Sequence, residues 1–548
     1  MPMPTNHDRL IYFADTGLHA YNVKQPATAD QFARHMDDMA DNGIDIYSQL
    51  TFAAGALKPG LFMPEHPDFE YWPNLKLQPL IDSGVQPLEV MIDQAHRRGM
   101  KFYCKLRLTD WHRLRSREEN VFIDRHPELQ NPDRQTRRTL DYSHPEVWQY
   151  HAALVDELAR RFDIDGITLN FVRGLAYFPK DATVDRRALL TEFVKLIRST
   201  LDEQAKRRGR PLQMNAIVWP HLEQCGHYDV DVASWIREGL FDHICPGNTH
   251  MTDPAMNHEA WSALCRDTSC RYFPILQPLH WQSEGNRLIE PRHIRALLRT
   301  MDHGGADGVS VFNWQFYWDV RGGRGPSGVT HGPWSQCRMV DTSEIDFPMA
   351  LTFLRDAHDP TANDREPRTY CFRSMEVHDS LSHHPFEDAY RVVLPRETGA
   401  HGAYRFVLPE QIESTGGAWL VVRILGLSPI EEFGGSSVIG PSDDVSGAEK
   451  DWQWPHGIEL DVNDTPIAEQ AIQMTWHRLG RLKHQGKPLP PYTAAWFRLE
   501  TPPTRCGWNT LGLTLRRLEP LDEQAEVTIE EVEITVLPKP WERSRSGV

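Results

Sequence analysis

Apolar and polar positions along the chain alternate between two periods. Eight short runs are rich in Ile, Val, Phe and Tyr: RLIYFAD (9–15), IDIYSQLTF (44–52), MKFYCKLRL (100–108), IDGITLNF (164–171), LQMNAIVW (212–219), FDHICPGN (241–248), RYFPILQP (271–278) and DGVSVFNW (307–314). Each has the length and composition of a strand. Between them the pattern turns helical. The stretch 29–41 places Phe32, Met36 and Met39 on one face and charge on the other. Helical stretches follow at 87–98, 144–162, 186–208, 229–239, 258–264, 291–303 and 346–356. Pro87 and Pro145 stand where the first helical turn tolerates proline. Gly43, Gly99, Gly239 and Gly304 stand where a left-handed helix cap is wanted.

Strand and helix in strict alternation predict a parallel sheet, and eight such units predict a closed (β/α)₈ TIM barrel. No GxGxxG follows a strand, which argues against a dinucleotide fold. The polar stretch DAHDPTANDREP (357–368) reads as a linker. Beyond it come AYRVVL, GAYRFVL, AWLVVRILGL, GIELDVND, AAWFRLE, NTLGLTLRRL and VTIEEVEITVL, separated by turn residues. They predict an all-β sandwich of jelly-roll type. One further helix is admitted near 466–479, and a long loop over 428–456. The expected division is a barrel over 1–360 and a sandwich over 361–548.

Composition narrows the partners. The 548 residues carry 59 Lys+Arg against 76 Asp+Glu, a net charge of −17. That balance disfavours nucleic acid or an anionic membrane as main partner. No uncharged run is long enough to span a bilayer. The N-terminus as written has no signal peptide, so the expectation is a cytosolic protein, or a secreted one whose leader has been removed. Oligomeric state is not legible. Eight cysteines include no CxxC pair, and reduced structural thiols are expected. Seventeen Trp and 26 His are high counts. Indole faces suit sugar rings, although most tryptophans are expected in the core.

In a barrel of this class the active site lies at the C-terminal ends of the strands. Those ends carry Asp15 after strand 1, then Asp110, Trp111 and His112 after strand 3. Asn170 and Arg173 close strand 4; Trp219, His221 and Glu223 close strand 5. Asn248, His250 and Asp253 follow strand 6, Gln277 and His280 strand 7, and Asn313, Gln315 and Trp318 strand 8. Taken singly, each has a bland alternative. A loop histidine is more often structural, Asp15 can cap amides, and Glu223 and Asp253 can simply be solvated. Convergence on one rim carries the functional reading. No metal and no cofactor is expected. A metal site assembled from Asp15, His112, His250 and His280 is the weaker alternative, because no HExxH is present.

The run from Asp163 to Arg173, with apolar-Asp-Gly-apolar and then Asn170 and Arg173, resembles the fourth strand of "family 10 glycosylhydrolase-like" barrel proteins. The segment Leu140 to Val147 is similar to the one opening the preceding helix, and Gly305 to Trp314 to the last strand. The likeness covers about 9–356. It implies a glycoside hydrolase acting on an oligo- or polysaccharide, with carbohydrate as partner and an accessory sandwich behind the barrel. Two positions depart from the pattern: Asn170 stands where the family has a carboxylate, and Gln277 stands at strand 7, where many retaining barrel glycosidases have glutamate. Amides hold hydroxyls but cannot exchange their protons or form glycosyl esters. Either the acids moved, with Asp110 and Glu223 the candidates, or Asn170 is an inactivating substitution, or the barrel binds sugar without cutting it. Trp111 beside Asp110 would desolvate its carboxyl and suit a general acid. Arg173 and the rim histidines point toward an anionic glycan, with pairing of Arg173 to Asp15 or Asp110 as the alternative.

Overall fold

A computed structural model describes residues 8–15, 26–53, 65, 77–109, 122–134, 139–172, 177–248, 252–277, 279–282, 285–288, 290–314, 351–358, 362–373, 391–427, 457–477, 483–484, 487–488, 492–516 and 526–539. The eight predicted runs form strands β1 Leu10–Ala14, β2 Ile46–Ala53, β3 Lys101–Arg107, β4 Gly166–Asn170, β5 Gln213–Val218 and β6 His243–Pro246. They continue with β7, in two pieces Arg271–Tyr272 and Ile275–Leu276, and β8 Val309–Phe312. Every pairing among them is parallel. The first piece of β7 pairs β6 (His243↔Arg271), the second pairs β8 (Ser310↔Ile275), and β8 pairs β1 (Leu10↔Val309). The sheet therefore closes on itself through β7. Pro274 interrupts the strand because it has no N–H to donate. The ladder still continues past it: Phe273 N–H donates to Ile244 O (2.9 Å), and Pro274 O accepts from Ser310 N–H (2.9 Å).

The helices are α1 Ala29–Asp41, α2 Pro87–Arg97, α3 Pro145–Arg161, α4 Arg186–Arg208, α5 Leu222–His227, α6 Val232–Arg237, α7 His258–Cys265 and α8 Pro291–His303. Helix α1 buries Phe32, Met36 and Met39, the face read from the sequence. The expected helix 229–239 is α6, and α5 is an added turn after β5. The expected helix 346–356 is described only from 351, and its end is 3-10 turn. Gly43, Gly99 and Gly239 do adopt positive φ (81°, 78° and 66°). At the fourth site the left-handed residue is Gly305 (φ 84°), while Gly304 keeps φ −75°. Gly304 is required for space instead, because a Cβ there would lie 2.2 Å from the Cβ of His258.

A device absent from the sequence reading fixes the N-terminal end of the barrel. Asp45, Asp165, Asp242 and Asp307 stand just ahead of the four even-numbered strands. Each carboxylate accepts from a backbone N–H at the start of the preceding odd strand. Asp45 takes Arg9 and Leu10 (2.7 and 2.9 Å), Asp165 takes Phe102 (2.8 Å), Asp242 takes Met214 (2.7 Å) and Asp307 takes Tyr272 (2.8 Å). These N–H groups start strands and would otherwise lack ladder partners.

The rest of the described chain is antiparallel β. The strands are β9 Arg368–Arg373, β10 Val392–Pro395, β11 His401–Leu408, β12 Gly417–Leu425, β13 Ile458–Val462, β14 Gln473–His477, β15 Tyr492–Leu499, β16 Gly507–Leu515 and β17 Glu526–Leu537. One sheet runs β9-β17-β12-β15-β14, with β10 also on β17. The other runs β11-β16-β13 and ends on the short strand Thr465–Pro466. The chain passes back and forth between the two sheets. Leu420, Val422, Phe406, Leu511, Leu513, Val532 and Ile534 fill the core between them. This is the sandwich expected from period-2 alternation. The helix admitted near 466–479 is not formed: the described residues give a turn of 3-10 at Glu469–Ala471 and then β14. Met474 of β14 pairs with Ala495 of β15 and is buried, so strand period decides that segment. The loop expected at 428–456 lies outside the described residues.

The sandwich abuts the barrel through α8 and β9. Arg295 Nε donates to Pro367 O at 3.0 Å, and Ala296 of α8 belongs to the sandwich core. The seven described cysteines are free thiols, five of them buried; burial pushes Cys104 up to about 12. No helix among the described residues is long and apolar enough to cross a membrane.

Candidate active site

The parallel register decides which side chains face the barrel interior. Side chains alternate along a strand, and register partners on parallel strands share a face. Lys105 pairs with Thr168, and Thr168 with Asn215; Arg107 pairs with Asn170, and Asn170 with Ile217. Ser48 Oγ meets Thr168 Oγ1 at 2.8 Å across the interior, which fixes that level as inward. The upper interior is thus lined by Lys105, Arg107, Asn170 and Asn215, where packing alone would call for Leu and Val.

Lys105 and Arg107 are fully buried and share Asp15 at the end of β1. Lys105 Nζ lies 3.2 Å from Asp15 Oδ1, and Arg107 Nη2 donates to Asp15 Oδ2. Asn313, after β8, donates from Nδ2 to the same carboxylate (2.6 Å) and accepts Asp15 N–H (2.9 Å). Asn313 does so from a left-handed backbone (φ 51°), an uncommon state for a residue with a Cβ. Lys105 Nζ also lies 4.2 Å from the Phe312 ring centroid, a cation–π contact. Asp15 is therefore an ion-pair partner rather than an amide cap.

Across the mouth, β5 and β6 supply a second pair. His221 is the N-cap of α5, and its Nε2 lies 2.7 Å from Asp253 Oδ2. Asp253 is 6% exposed, so the solvated reading of this residue is replaced by a buried, partnered one. Burial works against the charged imidazole of His221. The Asp253 hydrogen bond and charge, with the charge of Glu223, outweigh it and hold the imidazole above its ordinary pKa. Glu223 itself is exposed on the first turn of α5. Trp219 is buried and tilts over Tyr228 with centroids 5.1 Å apart.

Amides complete the rim. Asn170 Oδ1 accepts Val172 N–H at 3.0 Å, and Gln277 Nε2 donates to Asn248 O at 2.5 Å. Thr252 Oγ1 and the Gln277 backbone tie β7 to the β6 loop. Three polar atoms are buried here with no hydrogen-bond partner among the described residues: Asn170 Nδ2, Trp219 Nε1 and Gln277 Oε1. Each stands at the C-terminal end of its strand. A buried polar group left unmatched costs about 1–3 kcal/mol.

Of the residues read from the sequence, the structure joins Asp15 with Asn313, His221 with Asp253, and Gln277 with Asn248. Asp110, Trp111, His112, Arg173, His250, Gln315 and Trp318 lie outside the described residues, as does the His280 side chain. Lys105 and Arg107 were missed. Their signal was available, since two cations at alternate positions of CKLRL share one strand face. No group of three or more His, Cys, Asp or Glu is placed to hold a metal among the described residues.

Residues 29–187, from α1 to the start of α4, match the model of the family described as Glycosyl hydrolase-like 10. A search of curated proteins finds no match. Three solved structures are similar at low identity. The α-L-fucosidase isoenzyme 2 from Paenibacillus thiaminolyticus is 12% identical, over 66% of this chain and 51% of that one, with a TM-score of 0.41. The PgaB (BpsB) glycoside hydrolase domain from Bordetella bronchiseptica is 12% identical, over 56% and 93%, with a TM-score of 0.37. The α-L-fucosidase from Vibrio sp. strain EJY3 is 10% identical, over 97% of each chain, with a TM-score of 0.38. The chain spans about half (51%) of the length of the first of these. Similarity at this level assigns no activity.

Proposed function

We propose that this chain is a glycoside hydrolase whose barrel, within 1–360, binds an oligo- or polysaccharide at its C-terminal mouth, with the sandwich of 361–548 as accessory unit. The observation that carries the reading is the set of buried polar atoms at the ends of β4, β5 and β7 that are unmatched among the described residues. Donors and an acceptor on converging strand ends are what sugar hydroxyls require. The match of 29–187 to a glycosyl hydrolase-like family supports it.

Hydrolysis needs a carboxylate to activate water or attack the anomeric carbon, and a proton donor for the leaving oxygen. Glu223, accessible on the rim beside His221, is our candidate carboxylate. Asp110 is the candidate from sequence for the second group. A carboxyl spacing of about 5–5.5 Å would mean retention and about 6.5–9.5 Å inversion. The acidic-glycan reading, uronic or sulfated, rests on Arg173 and the rim histidines of the sequence, because Lys105 and Arg107 are buried and answered by Asp15. The amides Asn170 and Gln277 favour a second reading, a barrel that binds sugar without cutting it.

Incubating the protein with neutral and acidic oligosaccharides tests both. Release of reducing ends that survives a chelator and is lost in Glu223→Gln supports the hydrolase. Glycan binding without release supports the second reading. Wild-type turnover in both Glu223→Gln and Asp110→Asn discards the assignment of the two carboxyl groups.

A further inference from the structure

We propose that His221 is the proton donor of the barrel mouth and that Asp253 is its positioning residue. This rests on the glycosidase reading above and puts His221 in the role for which the sequence offered Asp110.

The geometry of the pair supports the division of labour. Asp253 uses both carboxylate oxygens: Oδ2 faces His221 Nε2 at 2.7 Å, and Oδ1 accepts Ala255 N–H at 2.8 Å. Its side chain is 5% exposed against 23% for His221, so the accessible end of the pair is the imidazole. The turn that carries Asp253 is held from behind. Ala255 packs on the sandwich core, and Asp253 and Pro254 share a cavity wall with Tyr370, Phe372 and Arg373 of β9. A carboxylate clamped on one side and bonded to a partly buried ring on the other fixes the ring's orientation and tautomer.

The charged and titratable groups facing the pair are few among the described residues. Glu223 acts on His221 from α5, and His258 faces Asp253 from the start of α7. Burial holds His258 down at about 4, so it stays neutral near pH 7. Arg373 and His293 share the cavity wall. The Arg373 charge is answered by Glu530 at 2.7 Å and by Glu531. Asp253 and Glu223 together favour the imidazolium form of His221 against the burial that opposes it.

In hydrolysis the glycosidic C–O bond breaks as the proton on Nδ1, the ring nitrogen not bonded to Asp253, passes to the departing oxygen. Water adds to the anomeric carbon and gives its proton to the Glu223 carboxylate. Exchange with solvent then returns that proton to water and re-protonates the imidazole. Nε2–H stays on Asp253 throughout.

The test is the pH dependence of kcat and KM, on a substrate found in the panel above, for wild type, Asp253→Asn, Asp253→Glu, His221→Gln and Asp110→Asn. A parallel NMR titration of histidine-labelled protein assigns His221 by its loss in His221→Gln. Activity should fall as pH rises through the raised pKa of His221. Asp253→Asn removes the carboxylate and leaves the burial, so the alkaline limb should move down by about one pH unit or more. Its kcat should fall about tenfold or more, with KM changed about twofold at most. Asp253→Glu should restore part of the rate, and His221→Gln should abolish the limb. An unshifted limb in Asp253→Asn, or a limb lost in Asp110→Asn and kept in His221→Gln, overturns the proposal. If no glycoside is cleaved, the glycosidase reading fails and the proton-donor role with it. The NMR arm then decides the positioning role, which is refuted if His221 titrates alike in wild type and Asp253→Asn.

Discussion

The two ends of the barrel treat polar groups in opposite ways. At the N-terminal end, four aspartates stand ahead of the even strands and meet backbone N–H groups of the odd ones. Asp165 also takes His96 Nε2 at 2.8 Å and Arg210 Nη1 at 2.6 Å. At the C-terminal end, Asn170, Trp219 and Gln277 keep buried polar atoms unmatched among the described residues. Each end holds a His–Asp pair of similar length, His96–Asp165 at 2.8 Å and His221–Asp253 at 2.7 Å. Both histidines are raised above their ordinary pKa. For His96 the Asp165 hydrogen bond is the leading cause; for His221 the carboxylate must first outweigh burial. The same chemistry closes a ladder at one end and stands at the C-terminal mouth at the other. A matched network stabilises the fold, while a buried polar group left unmatched costs stability.

The sharpest way to break the comparison is at the closed end. Asp165→Ala should cost about 2–4 kcal/mol in urea unfolding, because Phe102 N–H, His96 and Arg210 lose their shared acceptor. Substrate affinity should not change. A loss below about 1 kcal/mol would show that these aspartates are not structural.

The effect of pH is cumulative over several histidines. Burial holds His151, His243 and His258 down at about 4, 3 and 4. Their unfolded forms take up protons below about pH 6.5. Stability should therefore fall as pH drops from about 6.5 toward 4, by about 1.4 kcal/mol per pH unit for each histidine. His96 acts with the opposite sign. Its raised pKa contributes stability that is complete below about 6.5 and lost as pH rises through the folded value. Unfolding midpoints across pH 4–8 read both limbs, and a flat acid limb would contradict the buried neutral histidines.

The smallest stability change belongs to the open end. Trp219→Phe removes an indole N–H that is unmatched among the described residues and also loses apolar packing of comparable worth, so the net change in stability should be about 0.5 kcal/mol or less. Sugar binding should weaken by roughly 2- to 10-fold, the worth of about one neutral hydrogen bond. Unchanged affinity by titration calorimetry would remove Trp219 from the site.

Local pattern was enough for the architecture. Strand period in the eight runs, helix period between them, and alternation after residue 368 place the barrel strands and most of the sandwich, because burying one face requires those periods. It misled where packing overrode it, as at 466–479, where cross-strand pairing with β15 wins, and at Gly304, kept for His258 rather than for its φ. The candidate site was legible as a set of strand ends, since register alone sends them to one rim. Pairings across the rim were not legible. Asp15 with Lys105 and Arg107, and His221 with Asp253, join residues 32 to 92 positions apart. Which carboxylate meets which cation depends on closure of the ring, and sequence periodicity carries no information about contacts between different strands. Chain pattern thus settled the strands and the order of their ends; only the closed barrel decided which of the described polar groups there meet each other, because those contacts join strands far apart in sequence.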